Sequence, residues 1–283
     1  MKFQVYSELH YQVYIPTTFI FSIQASHNSS QVIVEESLVI DPPIAYEEIT
    51  STKGESRFIR LTADAKSQLT IRYQATVDID YDIIHQRHLS QAVPVNKMDA
   101  DVMHYLFPSR YCQSDKLQKL ASKQFGSIDT AYGKVAAITE WIYNNVEYTS
   151  GATNSGTSAH DTLTERVGVC RDFAHLGIAL CRALSIPARY FTGYAYNLNP
   201  PDFHACFEAY IGGEWIFFDP TKLVPVNGLV KIANGRDAAD ASVASIFGNA
   251  ASTGMTVKCE CNDPAFKPYY INDAANQKGL SYK

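Results

Sequence analysis

Between Leu69 and Tyr81 the sequence reads LTIRYQATVDIDY, with an apolar or aromatic side chain at every second position: Leu69, Ile71, Tyr73, Ala75, Val77, Ile79 and Tyr81. Successive side chains of a strand point to opposite faces, so a period of two predicts one long strand with a buried face and a wet face. Such a face needs neighbouring strands and a second apolar layer to cover it. Phe19, Phe21, Ile23 and Ala25 repeat the pattern, and VIVEESLVI ahead of Asp41-Pro42-Pro43 supplies another extended segment with a turn signal behind it. Residues 1–85 are therefore expected to form an antiparallel β-sandwich. Asp78, Asp80 and Asp82 read as its wet face, because the central glycine and closing glutamate of a calcium loop are missing.

A chain of 283 residues exceeds one small core and suits two domains. The net charge of -5, with no cluster of Lys or Arg, excludes a phosphate-binding surface, so nucleic acid is not an expected partner. No apolar run approaches the length of a bilayer span, and MKFQVYSEL lacks the apolar core of a secretory signal. No membrane association and a cytoplasmic location are expected. The cysteines Cys112, Cys170, Cys181, Cys206, Cys259 and Cys261 are scattered rather than framed as bridges, which predicts free thiols. Cys259 and Cys261 have no second pair at zinc-site spacing, so no metal is expected there and no cofactor is called for.

Residues 86–113 read as a connector, and 114–283 as a second domain. Ser114 or Asp115 caps a helix with Leu117, Leu120, Ala121 and Phe125 on one face; Asp129 caps a second, carrying Val135, Ile138, Trp141 and Ile142. A polar loop, TSGATNSGTSA from Thr149 to Ala159, then delivers the chain to RVGVCRDFAHLGIALCRALSIP. Here Cys170 stands at the first turn of a helix that is apolar almost all round. A buried thiol is usually inert. A thiol at a helix N-terminus faces unpaired N–H groups and the positive end of the helix dipole, which favour the reactive thiolate.

Downstream, HACFEAYI and EWIFFDP flank Gly212-Gly213, a two-residue hairpin signal. If Ile211 pairs with Glu214, His204 and Asp219 become diagonal neighbours on one face, together with Glu208, Tyr210, Trp215 and Phe217. A cysteine nucleophile needs a base and a group that orients the base; Cys170, His204 and Asp219 supply these in that order. Asp172 suits the first turn of the Cys170 helix as a supporting carboxylate. Asn154 and Thr157 in the polar loop are candidates for a second oxyanion donor beside the Cys170 N–H, and Glu208 for an acceptor behind His204.

GVCRDFAHLGIALCRALSIPARY followed by FHACFEAYIGGEWIFFDPT resembles the core of the transglutaminase-like superfamily, the papain-like thiol enzymes that include transglutaminases, peptide:N-glycanases and bacterial cysteine proteases. The resemblance implies an α+β fold, with a papain-like core behind an N-terminal β-sandwich. It implies Cys170 as nucleophile, His204 as base and Asp219 of the DPT turn as orienting acid. One departure is Cys206, where the family often carries Trp two residues after the histidine. The expected activity is acyl transfer from a peptide or protein amide through a thioester. Hydrolysis is preferred over transamidation, and an inactive peptide-binding module is the rival from another class. With no calcium loop in the sequence, activity is expected to survive a chelator.

Overall fold

The computed structural model describes residues 1–51, 55–89, 92–270 and 278–282. Positions 90 and 91 of the expected connector lie outside them. The first half runs β1 (Lys2–Val13), β2 (Thr17–Phe21), β3 (Gln31–Asp41), β4 (Tyr46–Thr50), β5 (Arg57–Ala63), β6 (Ser67–Ile79) and β7 (Asp82–His85), then the one-turn helices α1 (Gln86–Leu89) and α2 (Ala100–Met103). The second half contains α3 (Ser114–Phe125), α4 (Ala131–Asn145), β8 (Glu147–Tyr148), α5 (Ala159–Glu165), β9 (Val167–Gly168), α6 (Cys170–Ala183), β10 (Ala188–Ala195), β11 (Phe203–Ile211) and β12 (Glu214–Phe218). It ends with β13 (Leu229–Gly235), β14 (Ala244–Phe247), β15 (Ala250–Cys261) and β16 (Lys278–Ser281). The protein is α+β, as the sequence indicates.

The alternating segment is β6, whose apolar side chains from Leu69 to Ile79 are buried while the residues between them stay partly or fully exposed. It sits in a sheet of order β15-β1-β6-β3, opposed by β14-β2-β5-β4. Phe3, Tyr11, Phe19, Phe21, Ile59, Leu69 and Ile71 fill the space between the layers. The sequence reading places everything after residue 114 in the second domain, and strand pairing corrects this. β15 pairs with β1 from Phe3↔Cys261 to Val13↔Ala250, and β14 pairs with β2, so both complete the sandwich. The cause is that β14 and β15 are edge strands with little buried surface of their own. Val257 is the only residue of β15 that is fully buried, and Cys259 and Cys261 are partly buried on its inner side.

The second sheet has the order β12-β11-β10-β13, with α6 packed on β10 and β11. Gly177 of α6 lies so close to Phe207 that a Cβ there would meet the ring at 2.5 Å. Helix contacts one face of this sheet and Tyr282 stacks among Phe191 and Phe217 on the other, so every residue of β10 is buried. The hairpin forms as expected: Ile211 pairs with Glu214, and Gly212 and Gly213 adopt φ of 65° and 93°, which side chains disfavour.

The sandwich and the second sheet are joined by buried hydrogen bonds. Tyr194 of β10 donates to the Ile23 carbonyl at 2.6 Å and accepts from Ser7 at 2.9 Å. The Gln31 side-chain amide grips the backbone of Lys231, donating to its carbonyl and accepting from its N–H, both at 2.8 Å.

Candidate active site

Three local structures bring the sequence-derived trio together. The two-residue strand β9 ends at Gly168, Val169 precedes the helix, and Cys170 opens α6. Gly168 is required for this approach, because a Cβ there would lie 2.8 Å from the Asp172 Cβ. His204 enters on β11. Asp219 follows β12 in a turn where its Oδ1 accepts from the Thr221 N–H at 2.8 Å and the Thr221 hydroxyl at 2.7 Å. Its Oδ2 lies 2.9 Å from His204 Nε2, the diagonal contact that the hairpin register anticipates.

His204 and Asp219 are buried, whereas Cys170 is partly exposed. Burial opposes a charge on His204. The negative charge of Asp219 and its hydrogen bond to the ring outweigh it and hold the imidazole well above its ordinary value. Cys206 sits beside this pair, and burial pushes its own thiol up to about 12. Among the described residues, His204, Cys206 and Asp219 are the cluster whose donor atoms, all within 4.8 Å of one another, have the spacing to hold a metal ion. Two of the three belong to the candidate acid–base machinery itself.

Asp172 is fully buried and holds the approach to the nucleophile. It accepts from the Val169 N–H at 3.0 Å, from the Thr153 hydroxyl at 2.6 Å, and from the Arg171 guanidinium at 2.8 and 3.0 Å. The other supporting candidates lie elsewhere. Asn154 Oδ1 accepts from the Gly156 N–H and Thr157 Oγ1 from the Asn154 N–H, so these polar atoms close the loop rather than face the thiol. Glu208 does not reach His204; it pairs with Arg189 directly across the strand pair, 3.9 Å from Lys231.

A residue that the sequence reading missed is Tyr148. β8 and β9 pair in parallel, Tyr148 opposite Gly168, which puts the tyrosine two residues from the nucleophile. Its half-exposed side chain adjoins Cys170, and partial burial followed by the charge of that thiol raises the hydroxyl to about 12. It therefore stays a neutral donor. A lone Tyr after a helix carries no local signal of this role. The cleft beside Cys170 encloses about 380 Å³, with Tyr190, Phe203, His204, Val243, Ala244 and Met255 among its walls.

A thiol at a helix start, opposite a histidine–carboxylate pair on an antiparallel sheet, defines a papain-like thiol fold. The chain belongs to the transglutaminase-like superfamily and carries a bacterial transglutaminase N-terminal domain: residues 118–220 match the former and residues 1–101 the latter. A solved structure from Cytophaga hutchinsonii, described as a candidate cysteine protease, is 64% identical over 100% of this chain and 98% of that one, with a TM-score of 0.98. An uncharacterised protein of Mycobacterium leprae is 32% identical over 44% of this chain and 48% of its own length. One of Mycobacterium tuberculosis is 36% identical over 35% and 36%. The chain thus spans about half, or less, of the length of these curated relatives. Among the described residues no helix is long and apolar enough to cross a membrane.

Proposed function

We propose that the protein is a thiol-dependent amidase or peptidase in which Cys170, His204 and Asp219 act as a triad. The observation that carries this reading is the 2.9 Å His204–Asp219 contact beside a partly exposed thiol at the start of α6. The Cys170 thiolate attacks the amide carbonyl, His204 passes a proton to the departing amine, and Asp219 holds the ring and supports its charge. Water then attacks the thioester, with His204 as base. The oxyanion is received by the Cys170 N–H and the Tyr148 hydroxyl, in place of Asn154 and Thr157.

Hydrolysis is preferred because the cleft is open and its thiol meets solvent. The substrate is a peptide or protein amide; nucleic acid and membrane are not partners. All six cysteines are free, which suits the reducing cytoplasm. The proposed steps draw on side chains and one backbone N–H, so EDTA is expected to leave activity intact, and loss restored by calcium would refute that.

The test is mass spectrometry of a blocked peptide library with the wild type and Cys170→Ala, with and without cadaverine. Products gaining water only, absent with the variant, support hydrolysis. Cadaverine adducts would make the enzyme a transamidase, and no turnover or acyl-enzyme at all would leave a binding module. Tyr148→Phe is expected to lower kcat about 100- to 1,000-fold with little change in KM, as loss of one oxyanion donor does. An unchanged kcat would remove Tyr148 from the mechanism.

A further inference from the structure

The sandwich closes on itself incompletely, and the gap opens onto the candidate active site. β14 ends one sheet and β15 ends the other, so both are edge strands on the same side of the sandwich. Each is paired along one edge only among the described residues, which leaves backbone N–H and C=O groups of the other edge without a strand partner. Ile246 pairs with Phe19 and Met255 with Leu9, and both partners are core residues. Ile246 and Met255 therefore point toward the inner side, yet they are 39% and 46% exposed. A covered seam would bury them.

The same seam forms one wall of the cleft. Val243, Ala244 and Met255 face the cavity that holds Cys170 and His204. The arrangement is held in place: Ser22 donates to the Val243 carbonyl at 2.9 Å, and Thr192 of β10 donates to the Ala241 carbonyl at 3.2 Å. The inward-facing Met255, the start of β14 and the nucleophile thus line one cleft, and Ile246 stands two residues beyond Ala244 on the same strand.

We propose that this seam binds the stretch of polypeptide flanking the scissile amide, in extended conformation, as an added strand along β14 or β15. The proposal rests on the amidase reading above and narrows its substrate to unfolded or flexible protein segments rather than small amides. Backbone pairing supplies sequence-tolerant affinity, and Ile246 and Met255 accept alternate apolar side chains. The sandwich is then part of the substrate site as well as a brace.

Binding can be read without turnover, using full-length Cys170→Ala protein and reduced, carboxamidomethylated α-lactalbumin as an unfolded polypeptide probe. The expected result is saturable binding, backbone amide protection confined to residues 243–256, and no binding of native α-lactalbumin. Met255→Glu and Ile246→Glu, each in that background and each checked for a cooperative melt, should weaken binding about 10-fold. Absent binding, binding that both variants leave unchanged, or protection elsewhere would overturn the proposal. Protection of the seam without probe, accompanied by concentration-dependent dimers in sedimentation, would also overturn it by assigning the edge to a second copy. Failure of the amidase reading appears separately, as alkylation of Cys170 indifferent to His204.

Discussion

The two sheets that flank the cleft handle polarity in opposite ways. In the sandwich, Arg60 pairs with Glu47 and Arg72 with Glu8 on the wet faces, the Arg57–Glu36 pair bridges the two sheets at the rim of the core, where the Tyr73 hydroxyl donates to Glu36 at 2.8 Å, and the rest of the interior is mainly apolar and aromatic. In the second half both faces of the sheet are covered, and Asp172 and His175 of α6 are buried beside it together with Arg189, His204, Glu208, Asp219 and Lys231. Burying a charge is costly unless it is paired and hydrogen-bonded, so a cluster of this size marks the half of the molecule that carries the candidate site. The sandwich achieves its stability without any such cluster.

If that contrast is correct, the largest effects must come from the buried groups at the cleft. His204→Ala should lower the rate of iodoacetamide labelling at Cys170, located by peptide mass spectrometry, and reduce amide turnover at least ~1,000-fold. Labelling of Cys170 at an unchanged rate, no faster than at the other five cysteines, would remove the nucleophile assignment. Next comes Glu208→Ala, which leaves Arg189 buried without its carboxylate and Lys231 with Glu55 alone, 3.8 Å away. Burial already pulls the Lys231 amine below its ordinary value even with Glu208 present. A loss of about 3–5 kcal/mol in denaturant unfolding is expected. A loss near zero would show that water reaches the pair and would weaken the contrast between the two halves.

The buried histidines sharpen the comparison, because they respond to pH with opposite signs. His175 is stacked on Tyr111, and its Nε2 accepts from the Ala238 N–H at 3.1 Å, so it must remain neutral. Burial lowers it from 6.5 to about 3. The unfolded chain takes up that proton near pH 6.5, so the stability tied to a neutral His175 is present above this pH and is lost as pH falls toward 3. His204 is raised, so its contribution is full below pH 6.5 and is lost as pH rises through its higher folded value. His175→Gln, which can still accept from Ala238, should flatten the fall in Tm between pH 6.5 and 4. An unchanged acid limb would assign that limb to carboxylates instead.

How far the sequence reveals each half follows from the same contrast. β6 was legible because one of its faces is wet, and the hairpin because Gly-Gly fixes a turn and hence a register. That register alone makes His204 and Asp219 diagonal neighbours. β10 carries no alternation, since all of it is buried, and so Arg189 gave no sign that Glu208 was already taken. Tyr148 was invisible because its position depends on a parallel pairing of two residues across a loop. β15 was assigned to the wrong half because its partner, β1, lies at the far end of the chain, beyond the reach of any local pattern. The capping residues show the same limit on a smaller scale: Thr130, not Asp129, caps α4, by accepting from the Gly133 N–H at 3.0 Å.

The smallest expected effect belongs to the sandwich surface. Arg60 and Glu47 form a short ion pair between β4 and β5, with side chains 50% and 64% exposed. In that much solvent the attraction is screened, and fixing two long side chains costs entropy that largely offsets it. Arg60→Ala should change unfolding stability by less than about 1 kcal/mol and leave Cys170 labelling untouched. A loss comparable to that of Glu208→Ala would mean that the wet face of the sandwich is not free solvent-facing surface in the working protein, and that something covers it. The difference between the halves would then lie in what covers each sheet and not in where the charges are buried.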